Sequence, residues 1–145
     1  MLNGTRPVTR PTALNILVPT GGTPEARLAM EIALALAKAS NGTLTALHVF
    51  DPRDDTGVLR GRARRQGMSV LVDARRLGRR SDVPVQAITM TNASPEAAIQ
   101  RAIRNGHYDL VVFGTSLRQG QTKFLGPRSA ELVRAVRTPT LLIVR

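Results

Sequence analysis

The chain has 145 residues, no cysteine and a formal net charge of +11 at pH 7. This length is typical of a single domain with a hydrophobic core, and the lack of cysteine excludes disulfides, zinc–thiolate sites and thiolate nucleophiles. No stretch reaches the roughly 18 apolar residues that span a bilayer, and the N-terminus lacks the apolar core of a secretory signal. We therefore expect a protein of the reducing cytoplasm.

The N-terminal residues differ in composition from the rest of the chain. Residues 1–12 are rich in proline, arginine and threonine and show no hydrophobic periodicity, which indicates a disordered tail or linker. The remainder, residues 13–145, shows no internal repeat and no second hydrophobic core. We interpret residues 13–145 as one domain.

Strand and helix patterns alternate from the start of this domain. Residues 13–18 form a short apolar run that predicts a strand buried on both faces. Thr23 as N-cap and Asn41 as stop signal bound an amphipathic helix over 24–39. The β-branched and apolar residues of 43–50 then predict a second strand.

The alternation continues to the end of the chain. We predict a helix with a frayed beginning over 57–80, a strand over 83–90, a helix over 95–105 capped by Ser94, a strand over 110–113, a loop over 114–126, a helix over 127–136 and a strand over 140–144. Pro84 cannot donate to a strand ladder, so its strand is expected at an outer position. The succession βαβαβαβαβ specifies a three-layer α/β domain with an open parallel sheet and a ligand crevice beyond the carboxyl ends of the strands.

Positive charge is concentrated in the helix predicted over 57–80. Eight arginines lie between positions 60 and 80 and face a single acidic residue, Asp73. Such a surface attracts anions, which include nucleotides, nucleic acid and acidic lipid headgroups, and the sign of the charge does not choose among them. A solvated helix face is the plainer interpretation. Because only 3% of the residues are aromatic, base stacking has little support, and nucleic acid is not an expected partner.

Residues for catalysis are sparse. The chain has two histidines, His48 and His107, and no carboxylate or serine pattern accompanies His48. We interpret His48 as a packed or hydrogen-bonded strand residue, and we expect no metal site and no enzyme activity, with a weak ATPase as the alternative.

Two blocks of the sequence carry a family resemblance. Residues 16–52 (ILVPTGG to HVFDP) and 108–145 (YDLVVFGTS to LLIVR) together resemble the universal stress protein family. The resemblance implies an adenine nucleotide alpha hydrolase-like fold with sheet order 3-2-1-4-5 and four flanking helices, and a cytoplasmic location. It also implies a homodimer through the last strand, Thr140 to Val144. The segment FLGPRSAEL is similar to stress-protein modules appended to cation/proton antiporters, which makes a membrane transporter a second candidate partner.

The nucleotide motif of this family is altered here. In ATP-binding members the loop after the fourth strand reads Gly, two residues, Gly, nine residues, Gly, then Ser or Thr. This chain keeps Gly114, but Leu117, Pro127 and Arg128 occupy the other motif positions. A shift of one residue would let Gly126 and Ser129 take part. The first loop carries Gly21 where ATP-binding members usually carry an aspartate that reads the adenine.

The resemblance nevertheless implies a ligand site, to which positively charged side chains could contribute. Its residues are Pro19, Thr20, Gly21, Val49, Gly114, Thr115, Arg118, Gly126, Arg128 and Ser129. Arg118 and Arg128 can bind phosphate bidentately and so replace lost backbone contacts, and the alternative is that they are exposed charges of the loop. The sequence thus predicts a regulatory stress-response module that binds an adenine nucleotide, ATP or AMP, or another phosphorylated small molecule. The alternative is an interaction or dimerisation domain without a nucleotide that regulates an antiporter or other transporter.

Overall fold

The computed structural model describes residues 13–54, 57–115, 134 and 136–144. The strands are β1 (Asn15–Pro19), β2 (Thr43–Phe50), β3 (Val85–Thr91), β4 (Leu110–Thr115) and β5 (Thr140–Val144). The helices are α1 (Pro24–Ser40), α2 (Val58–Ser81) and α3 (Pro95–Asn105), and a short 3-10 turn covers Pro52–Asp54. Within these described residues, no helix combines the length and the apolarity needed to cross a membrane.

The five strands form one parallel sheet in the order β3-β2-β1-β4-β5. This confirms the order that the family resemblance implied, and it places β3 at an edge, as Pro84 predicted. The chain order reverses at β1, which pairs with β2 on one side and with β4 on the other. Open parallel sheets bind ligands at such a reversal, beyond the carboxyl ends of the strands.

Helices cover both faces of the sheet. Ile16 and Val18 of β1 point to the face that α1 and α2 cover, whereas Leu17 between them points to α3. All three side chains are completely buried. Because successive side chains of a strand point to opposite faces, one apolar run serves both cores, and the predicted three-layer architecture is confirmed.

The capping signals define the helix starts. The Thr23 hydroxyl accepts a hydrogen bond from the amide of Ala26 at 3.1 Å, and the Ser94 hydroxyl accepts one from Ala97 at 3.2 Å. Asn41 adopts the left-handed conformation (φ 56°) that ends α1. By contrast, Gly57 before α2 supplies no side-chain cap.

Some strand boundaries differ from the predictions. β1 runs from Asn15 to Pro19 rather than over 13–18, and β3 begins after Pro84. Gly114 and Thr115, which we predicted to begin a loop, instead extend β4 because they pair with β5. The remainder of that loop, the predicted helix over 127–136 apart from Arg134 and Val136, and the predicted tail lie outside the described residues.

Candidate functional site

A cavity of about 330 Å³ lies at the carboxyl ends of β1, β2 and β4. Five predicted ligand-binding residues line it together: Pro19, Thr20, Gly21, Val49 and Gly114. Thr115, the last residue of β4, is half-buried beside Gly114 and does not line this cavity. The predicted residues Arg118, Gly126, Arg128 and Ser129 lie outside the described residues.

The loop after β1 is tied to β2 by two hydrogen bonds. The amide of Thr20 donates to the carbonyl of Leu47 at 2.8 Å, and Nδ1 of His48 lies 2.9 Å from the carbonyl oxygen of Thr20. Because a carbonyl only accepts, Nδ1 of His48 is the donor. This hydrogen bond confirms the prediction that His48 is a hydrogen-bonded strand residue. Through it, His48 holds Thr20, which lines the cavity.

A second cavity, of about 290 Å³, lies on the α2 side of the end of β2. It shares Gly21, His48 and Val49 with the first cavity. Helix α2 comes close here because Gly67 has no side chain: a Cβ at this position would lie 2.6 Å from ring atoms of His48 and Phe50. The two cavities therefore meet at Gly21.

The two predicted site glycines have different surroundings. A Cβ on Gly114 would overlap the carbonyl group of Glu25 and would lie 2.8 Å from the amide nitrogen of Ala26, because the first turn of α1 packs on the end of β4. A Cβ on Gly21 would meet no atom within 4 Å. The backbone of Gly21 does not require glycine either, because the positive-φ glycines among the described residues are Gly22 and Gly57. Gly114 is thus required by packing, whereas position 21 has room for a side chain.

Helix α3 contributes residues to the first cavity that we did not predict from the sequence. Pro95, Glu96 and Ile99 line the first cavity beside Phe113 of β4. The sequence did indicate this contribution. Ser94 and Pro95 predicted a helix start directly after the carboxyl end of a strand, and the carboxyl ends of all strands in a parallel sheet lie at the same edge. The predicted site residues all lie at or after the ends of the first, second and fourth strands.

Glu96 supplies the one carboxylate that lines the first cavity among the residues the structure describes. The hydroxyl of Ser94 donates to its Oε2 at 3.2 Å, and the carboxylate lies in the first turn of α3, where the helix dipole favours a negative charge. A carboxylate repels a phosphate and accepts hydrogen bonds from hydroxyl groups. This wall of the cavity therefore suits the uncharged part of a ligand better than its phosphate.

Metal ligands do not cluster in the described part of the chain. No group of three or more histidine, aspartate or glutamate side chains comes together there. The histidine and carboxylate side chains that the described residues supply to the two cavities come from separate elements: His48 lies in β2, Asp51 follows β2, and Glu96 lies in α3 after β3.

Comparisons with solved structures agree with this architecture. A universal stress protein family member from Burkholderia pseudomallei is 27% identical, with a TM-score of 0.74 over 90% of this chain and 96% of that chain. An Arabidopsis thaliana family member with AMP bound is 18% identical, with a TM-score of 0.69 over 91% and 92% of the two chains. The universal stress protein from Archaeoglobus fulgidus in complex with dAMP is 14% identical, with a TM-score of 0.68 over 90% and 97%.

The family assignment rests on the sequence match. No curated protein matches this chain. The model of the universal stress protein family, however, matches residues 13–145, which is the whole of the predicted domain. The chain therefore belongs to the universal stress protein family.

Proposed function

We propose that this protein is a regulatory module that binds an adenine nucleotide, or another phosphorylated small molecule, and has no catalytic turnover as its main task. One observation carries the proposal: Pro19, Val49 and Gly114, from three separate strands, meet at one cavity of about 330 Å³. This volume lies within the range of small-molecule sites in proteins.

The walls of the cavity suit a purine. Val49, Ile99 and Phe113 offer apolar contacts on the α3 side, while backbone groups of the loop after β1 lie at the floor. The hydrogen bonds of Thr20 to Leu47 and to His48 hold this loop in place before a ligand arrives. The AMP and dAMP complexes of the two relatives show what those proteins bind, and they support an adenine nucleotide as the ligand here.

Residues other than the usual motif glycines must bind the phosphate of the ligand in this chain. Leu117 has a side chain and Pro127 has no amide, so neither position offers what a motif glycine offers to a phosphate oxygen. We propose Arg118 and Arg128 as the phosphate ligands, because a guanidinium group binds phosphate through two parallel hydrogen bonds.

Isothermal titration with ATP, AMP and adenosine tests this function. We expect micromolar binding of at least one nucleotide, and Arg118→Ala or Arg128→Ala should weaken it by about ten- to a hundredfold. Arg79→Ala and Arg80→Ala are matched controls, because both arginines lie in the last turn of α2, far from the carboxyl ends of the strands. Absence of heat with all three ligands would rule out an adenine nucleotide as the ligand, and equal losses from both sets of variants would rule out Arg118 and Arg128 as its phosphate ligands.

The edge position of β5 favours a second candidate, an interaction domain. β5 pairs with β4 on one side and is the last strand of the sheet, so its outer ladder can pair with another chain. We propose a homodimer through Thr140–Val144, with a transporter as the alternative partner. Leu142→Lys should shift the protein toward monomer in sedimentation velocity, and an unchanged dimer would show that the interface lies elsewhere. Dimerisation without any nucleotide binding would favour this candidate over the first.

A further inference from the structure

One flank of α2 carries an exposed stripe of arginines with two apolar residues at its centre. Val70, Asp73 and Leu77 line a cavity between α2 and α1, which fixes the side of α2 that faces α1. At 100° per residue, the opposite flank consists of Arg65, Met68, Val72, Arg75, Arg76 and Arg79, which we call the arginine stripe. It extends about 21 Å along the helix, since each residue adds about 1.5 Å.

The stripe is open to solvent. Met68 is 52% exposed and Val72 is 49% exposed, and no other large hydrophobic side chain that the structure describes is exposed. The four arginines are exposed as well. Arg76 lies 3.8 Å from Asp73, with both side chains more than half exposed, and in the described part of the chain Arg65, Arg75 and Arg79 form no ion pair.

Neither the fold nor the nucleotide site accounts for this arrangement. Leu71, Ala74 and Gly78 already bury the inner side of α2 against the sheet, so the stripe adds nothing to the core. The two cavities at the strand ends contact α2 through Ala63, Arg64, Gln66 and Gly67, outside the stripe. The stripe thus presents fixed positive charge and apolar surface toward solvent.

We propose that the arginine stripe docks this protein on an anionic lipid surface. The stripe offers cations for phosphate headgroups at both ends and apolar side chains, Met68 and Val72, for the acyl boundary between them. The outside of a nucleic acid backbone has no apolar counterpart for those two residues. A convex helix flank also matches a flat surface better than it matches an acidic peptide helix, which binds in a groove.

Vesicle cosedimentation of the full chain tests the proposal. We expect binding to phosphatidylcholine vesicles that contain phosphatidylglycerol, no binding to pure phosphatidylcholine, and weakening as salt is added. The triple variant Arg65→Gln, Arg75→Gln, Arg79→Gln should lose about fivefold per arginine and roughly a hundredfold in total. Equal binding to both kinds of vesicle, or no binding to either, would overturn the proposal.

A matched control removes the same charge from other parts of the surface. Arg101 and Arg104 lie on α3, which covers the opposite face of the sheet, and Arg137 precedes β5; all three are exposed. The variant Arg101→Gln, Arg104→Gln, Arg137→Gln should retain most of the binding. If it loses as much as the stripe variant, net charge rather than the stripe attracts the vesicles, and the proposal fails.

The apolar residues separate lipid from nucleic acid. Met68→Gln with Val72→Gln should weaken vesicle binding about tenfold, because two side chains no longer enter the acyl boundary, and it should leave binding to a DNA duplex unchanged. Thermal unfolding checks that each variant keeps its fold. A wild-type protein that binds the duplex and ignores anionic vesicles would identify nucleic acid as the partner and refute the lipid assignment.

Discussion

Gly21 and Gly114 line the same cavity, yet they are glycines for different reasons. The end of β4 at Gly114 lies against the backbone of Glu25 and Ala26 in α1, so a side chain there has no room. At Gly21 a Cβ would meet nothing within 4 Å. Gly114 is also the one residue that matches the family's phosphate motif. Gly114, which matches the motif, can thus be explained by packing alone. Gly21, where the family usually has an aspartate, is the position with free space beside it.

The largest expected effect, on the free energy of unfolding, comes from replacing Gly114 with alanine, with the same replacement at Gly21 for comparison. Gly114→Ala should lower the free energy of unfolding by about 2–3 kcal/mol, because α1 must move away from β4. Gly21→Ala should leave it unchanged or raise it by about 0.5 kcal/mol, because alanine restricts only the unfolded chain. Urea denaturation of the two variants measures both values. Equal changes at the two positions would contradict the difference that we infer between them.

Gly21 occupies the position where ATP-binding family members usually carry an aspartate, and this carboxylate can be restored. Gly21→Asp should raise the affinity for adenine nucleotides about tenfold, because it places a charged acceptor for the base at a position where an added Cβ meets no atom within 4 Å. Titration of AMP into the variant checks this, with Gly21→Ala as the control for size. A gain that the alanine variant shares would assign the effect to the shape of the loop rather than to the carboxylate.

A smaller effect is expected at Glu96, across the cavity from the two glycines. Glu96→Gln should raise the affinity for AMP by about two- to fivefold and leave the affinity for adenosine unchanged, since the substitution removes a half-exposed negative charge that repels phosphate. The gain for AMP should shrink at high salt. If adenosine binding falls instead, Glu96 accepts hydrogen bonds from the hydroxyl groups of the ligand.

Local patterns predicted much of the secondary structure. The starts of α1 and α3 and the full extents of β2, α3 and β5 agree with the predictions. The hydroxyls of Thr23 and Ser94 act on amides only three residues away, so their effect is legible in the sequence itself. The end of β4 was wrong, because Gly114 and Thr115 become a strand through pairing with Ile143 and Val144, about 29 residues later in the chain.

The succession of strands and helices, the side-chain caps of α1 and α3 and the concentration of arginine on α2 could all be predicted from the sequence. These features depend on side-chain type and on interactions within one or two helical turns. The family resemblance implied that β1 lies between β2 and β4, and the sheet confirms it, but the tertiary structure was needed to show that Glu96 shares one cavity with Val49 and Gly114. The tertiary structure also decided which glycine is packed and which is open, because that depends on contacts between elements distant in the sequence, which no local preference specifies.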